Sequence, residues 1–150
     1  MDANISYREA AVRGASPVRL VICLYQQAIE DLRRAVIALE KRDAEARTRA
    51  INHALVVIGQ LQGTLDMERG GDVAKNLDRF YNVVRAGLVD AQFKQSAAIL
   101  TQQIAQLGLR REELRGHAKA VAATAASGTA AVQMYRRADP EERAQPGDKS

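Results

Sequence analysis

Apolar and polar residues alternate along this chain with the period of helices. From Ser16 to Tyr25 the sequence reads Ser-Pro-Val-Arg-Leu-Val-Ile-Cys-Leu-Tyr. Ser16 is a suitable N-cap, and Pro17 fits the first helical position, where its missing N–H leaves no bond unmade. The spacing predicts a first helix from Pro17 to about Arg42. Ile22, Tyr25, Ile29, Leu32, Val36 and Leu39 fall on one stripe, opposite Gln26, Glu30, Arg33, Arg34 and Lys41. Asp43 then caps a second helix to Leu65, with Ile51, Ala54, Leu55, Ile58, Leu61 and Leu65 on its buried side. The short link between these helices predicts antiparallel packing.

Gly70-Gly71 is the strongest break in the chain, and Asp72 is placed to cap a third helix. Its stripe is Val73, Leu77, Phe80, Tyr81, Val84, Leu88 and Ala91. Gly87 interrupts it at about 1 kcal/mol relative to Ala, a cost that close helix approach would explain. A fourth helix begins near Ser96, with Ala97, Leu100, Ile104, Leu107, Leu114, Ala118 and Val121 in register across Arg111. The expected fold is therefore all-α, an antiparallel up-down four-helix bundle. Residues 1–15 form an N-terminal arm, 16–121 the bundle, and 122–150 an Ala-rich segment with a short fifth helix and a flexible polar tail.

The first helix carries more apolar residues than one stripe requires. Leu20 to Tyr25 is apolar all round, and Leu20, Cys23 and Leu24 turn away from the Ile22–Ile29–Val36 stripe. Apolar patches of this kind mark interaction sites. One reading makes them a partner-binding surface over which Ile5 and Tyr7 of the arm fold back. The other packs Leu20 and Leu24 under the loop between the second and third helices, or under the C-terminal tail.

Composition narrows the function classes. Hydrophobic residues make up 47% of the chain, charged ones 27% and aromatic ones only 4%, which predicts an aliphatic core. Cys23, the single cysteine, permits no intramolecular disulfide and reads as a small buried hydrophobe. No signal-peptide pattern opens the sequence and no apolar run is long enough to span a bilayer, so a cytoplasmic protein without membrane insertion is expected. The net charge of +4 is spread among interleaved acids such as Glu40-Lys41-Arg42-Asp43 and Arg110-Arg111-Glu112-Glu113. Solvated helix faces account for it, and no nucleic-acid partner is expected.

Chemistry is sparse. Neither His53 nor His117 has the Glu three residues earlier that a di-iron bundle site uses, and each reads as a surface or satisfied histidine. His53, among small and basic residues, only partly matches a phosphotransfer histidine. Asp66, Glu68 and Asp72 lack the spacing of a calcium loop and suit turns and caps. Without a phosphate-cradling glycine loop or a nucleophile–base pair, the chain reads as a non-enzyme with no metal site, catalytic residue or cofactor.

With these motifs placed, the sequence resembles the flagellin-specific export chaperones of the FliS family. The resemblance rests on Tyr7; Ala15-Ser16-Pro17; Leu20 to Tyr25 with Ala28; Leu61 with Thr64-Leu65-Asp66; Gly70-Gly71 with Ala74 and Leu77; Phe80-Tyr81; and Ala91. The chain departs from that pattern at Gln26-Gln27, at Gln92, in lacking tryptophan and in its long tail. The resemblance implies a cytoplasmic chaperone that binds the disordered C-terminal segment of flagellin and prevents its premature polymerisation. It also implies delivery to a component of the flagellar type III export gate, with the arm covering the client surface when flagellin is absent. A helical adaptor or regulatory bundle with another protein partner is the alternative.

Overall fold

The computed structural model describes residues 17–116. Ile5, Tyr7, Ala118, Val121 and His117 lie outside the described residues, as do the arm and the Ala-rich segment. Among the described residues four helices follow one another: α1 (Pro17–Glu40), α2 (Ala44–Gly63), α3 (Met67–Lys94) and α4 (Ala97–Gly116). No strand occurs among the described residues, and the all-α bundle expected from the periodicity is present.

Side-chain contacts fix the direction of each helix. Only residues 41–43 link α1 to α2, which makes the pair antiparallel, with Asp31 in the middle of α1 meeting His53 in the middle of α2. Arg47 and Thr48 at the start of α2 bond Gln92 near the end of α3, whereas Gln62 at the end of α2 bonds Asp78 and Asn82 in the middle of α3. Arg110 of α4 lies over the Phe80 ring of α3, 4.6 Å from its centroid. Each helix therefore runs opposite to the one before it. α1 packs on α2 and α4, and α3 closes the far side against the same two.

The helix ends follow local chemistry. α1 stops at Glu40, two residues short of the expected end, because Arg42 takes a left-handed φ of 57°. The Asp43 N–H then reaches back to the Ala38 carbonyl at 2.8 Å, a Schellman closure. Asp43 caps α2 as expected, its side chain accepting from the Ala46 N–H. Ser96 does the same for α4 by accepting from the Ile99 N–H at 3.1 Å.

The third helix differs from expectation. It begins at Met67, and its cap is Asp66, whose carboxylate accepts from the Glu68 and Arg69 N–H groups. Gly71, at φ 53° and ψ −131°, is the break that the glycine pair announced, but it is a kink inside the helical segment. A single capped turn is stable here because Asp66 satisfies its free amides and Glu68 suits its positive end. Asp72 consequently follows a kink and does not open the helix.

The buried face of α1 is wider than its predicted stripe and rotated from it. Tyr25, Ile29 and Leu32 are buried, while Ile22, Val36 and Leu39 are half-buried. Leu20, Leu24, Ala28 and Ala35 are enclosed beside them, together with Gln27 and Asp31. A helix wedged between two neighbours must be apolar over more than half its circumference, which explains the excess near its start. On α4, Leu100, Leu107 and Leu114 are buried as expected, and Gln103 joins them. Gly87 explains Gln103: a Cβ on Gly87 would stand 2.6 Å from the Gln103 amide nitrogen, so the glycine makes room for that side chain between α3 and α4.

A polar contact lies at the centre of this aliphatic core. The Tyr25 hydroxyl donates to that of Tyr81 at 2.8 Å, joining α1 to the diagonally opposite α3, and the rings lie 6.0 Å apart. Burial raises both phenol pKa values; the hydrogen bond adds to the rise for Tyr25 and opposes it for Tyr81. Both are therefore neutral far beyond the ordinary phenol value of 10.0.

Two outcomes follow for stability. Tyr81→Phe strands the buried Tyr25 donor and should cost about 1–3 kcal/mol in urea denaturation, whereas the Tyr25→Phe, Tyr81→Phe double variant should cost less than that single one. A phenol pKa raised on folding adds stability that is complete below the unfolded value and lost above it. Stability should thus fall as pH rises above 10.0, and the double variant should flatten that fall.

Candidate functional site

The amino-terminal half of α1 presents Leu20, Cys23 and Leu24 on one face, and Gln27 and Asp31 continue it over the next two turns. All five are buried, and Leu20, Cys23 and Leu24 join the same apolar cluster as the bundle centre. Burial raises the Cys23 thiol pKa above its usual 9.0, against the pull of the positive charges of Arg19 and Arg115. Beyond the apolar turn, Gln27 donates to Asp31 Oδ1 at 2.9 Å and His53 Nδ1 lies 2.5 Å from Asp31 Oδ2. Arg34 lies 3.6 Å from the same carboxylate. Of the two sequence readings of His53, surface or satisfied, this contact favours the second: its imidazole is engaged in the seam between α1 and α2.

A second surface is open. Leu55 of α2 and Arg85, Ala86, Val89, Asp90 and Phe93 of α3 line a groove of about 590 Å³. Phe93 is 87% exposed and Val89 58%, far more than the half-buried Leu55 on the opposite wall. Arg85 reaches across to α2: a Cβ on Gly59 would be 3.3 Å from its guanidinium. Asp90 and Lys94 form an exposed ion pair of 3.3 Å on the rim.

Sequence reasoning missed this groove. The periodicity places Leu55 on the buried stripe, where it is only half-buried, and puts Val89 and Phe93 on no stripe. Their spacing, one helical turn apart and one turn beyond Ala86, was the available signal. It is the same argument from surplus apolar positions that singled out Leu20 and Leu24. Among the described residues no group of three or more His, Cys, Asp or Glu could hold a metal ion. No described helix is long and apolar enough to cross a membrane.

The two faces should respond differently to perturbation. At pH 8 the native Cys23 thiol should react with a disulfide reagent at least about tenfold more slowly than in the urea-unfolded chain, because it is both enclosed and protonated. Phe93→Asp should change unfolding free energy by no more than about 0.5 kcal/mol, as expected for an exposed position.

Residues 1–120 match the family model described as flagellar protein FliS. The chain is 38% identical over 99 residues to the flagellar secretion chaperone FliSB of Pseudomonas aeruginosa, covering 66% of this chain and 79% of that protein. It is 34% identical over 95 residues to the flagellar secretion chaperone FliS of Salmonella typhimurium, covering 63% and 70%. The corresponding protein of Vibrio cholerae is 31% identical over 96 residues, covering 64% and 71%. The chain belongs to the FliS family of flagellar secretion chaperones.

Proposed function

We propose that this protein is a cytoplasmic export chaperone for flagellin. It binds the disordered C-terminal segment of the subunit, keeps it from polymerising early and helps bring it to the export gate of the flagellar type III apparatus. The observation that carries this reading is the open groove between α2 and α3, whose outer wall leaves Phe93 87% exposed. An aromatic kept in water on a folded surface is unfavourable unless a partner covers it. A segment that becomes an amphipathic helix on binding suits such a groove, laying its apolar side against Leu55, Val89 and Phe93. The family membership supports an export client as that partner.

The face of α1 bearing Leu20, Cys23 and Leu24 is the second client contact in this reading. We infer that Ile5 and Tyr7, which lie outside the described residues, compete with a client helix for this face. Leu20 and Leu24 also support the bundle, so truncating either reports on folding before it reports on binding.

Fluorescence anisotropy with a labelled peptide of the flagellin C-terminal segment provides the test. The wild-type chain should bind it, and Val89→Asp and Phe93→Asp should each weaken binding by at least about tenfold, equivalent to about 1.4 kcal/mol, while circular dichroism is unchanged. Tyr7→Ala should tighten binding, because a competing cover is weakened. A wild-type chain that does not bind the peptide would point to an adaptor with another partner. Full affinity in both groove variants would remove the client from the α2–α3 groove.

A further inference from the structure

The groove between α2 and α3 carries a positive charge without a counter-charge. Among the described residues, four basic side chains belong to half-buried residues: Arg47, Arg85, Arg110 and Arg111. Arg47 bonds Gln92, Arg110 pairs with Glu113 and covers the Phe80 ring, and Arg111 pairs with Glu112. Arg85 differs from these three in having neither an ion pair nor a hydrogen bond. Its guanidinium crosses to α2 above Gly59, where an added Cβ would stand 3.3 Å from Nη1, and it lines the groove beside Leu55 and Val89.

Carboxylates are kept away from it. The α3 residues one turn to either side are Tyr81, Asn82, Leu88 and Val89. Glu45 is the only acid in α2 and stands in its first turn, about 21 Å along the helix from Gly59. Asp78, two turns before Arg85, accepts from Gln62, and Asp90 pairs with Lys94 at 3.3 Å. A partly desolvated cation without a counter-charge is unfavourable. Covering Leu55 and Gly59 does not call for one, because an uncharged side chain of similar length would do the same.

We propose that Arg85 pairs with a side-chain carboxylate of the bound flagellin segment, which makes it a specificity-determining residue of the α2–α3 groove. This rests on the reading that the segment lies along that groove as a helix. Arg85 is eight residues before Phe93, about 12 Å along α3. The partner is therefore an Asp or Glu about two turns from the client residue that covers Phe93. Val89 and Phe93 alone would let a helix slide or reverse. A charge at one end of the apolar strip fixes both register and direction.

Anisotropy titrations of the full chain and its Arg85→Gln variant with the flagellin C-terminal peptide test the pairing. Arg85→Gln should bind about tenfold more weakly at low salt with unchanged circular dichroism, and Arg85→Lys should recover part of that loss. Added NaCl should weaken the wild type more than Arg85→Gln. When each Asp and Glu of the peptide is changed in turn to its amide, one change should weaken binding to the wild type about tenfold and leave binding to Arg85→Gln unaltered. Coupling that appears only when the peptide's terminal carboxyl is amidated overturns the side-chain assignment. If Arg85→Gln binds as the wild type does, or every acid acts alike on both proteins, the pairing is overturned, while weaker binding by Val89→Asp still upholds the groove. If the wild type does not bind the peptide, the flagellin reading fails and the pairing falls with it.

Discussion

Everything in this bundle is arranged around α1 having to be covered on two sides. With few aromatic side chains available, the core is filled by leucine, isoleucine, valine and alanine, and such side chains fill space only when helices approach closely. α1 meets this constraint by lying between α2 and α4, with Ala28 and Ala35 fully enclosed where larger residues would force the helices apart. Tyr25 then spans the remaining central space to Tyr81, giving opposite helices a single directional contact. Apolar packing alone specifies register weakly. The tyrosine pair, the Asp31–His53 contact and the Gln103 side chain over Gly87 give neighbouring and opposite helices distinct polar registers.

Much of this was legible in the sequence because helical periodicity is a strong signal over segments of twenty or more residues. The cap at Asp43 lies where its side chain predicts it, the fourth helix starts beside Ser96 as expected, and the antiparallel order follows from short links. What was harder to read depended on neighbours. The stripe through Ile22, Val36 and Leu39 is a correct helical pattern, but which part of a broad apolar arc faces the centre depends on where α2 and α4 sit. No feature of α1 alone contains that information. Likewise Gly70-Gly71 signalled a break, but whether one capped turn could survive before it depended on Asp66 accepting two amides at once.

The candidate site was legible to different degrees for related reasons. Leu20, Cys23 and Leu24 were conspicuous because six apolar residues stand in a row. The same crowding means that they serve the core, so their burial by itself does not distinguish a supporting residue from a client contact. The α2–α3 groove was inconspicuous because Val89 and Phe93 are separated by charged and small residues. Their meaning emerges only when Leu55, placed on another helix, becomes the facing wall.

The two surfaces place different physical demands on the same fold. The groove exposes Phe93 with little support from the core, so it can be altered with small consequences for folding. The α1 face is continuous with the core, where a change in side-chain volume is felt through Leu24 and Tyr25.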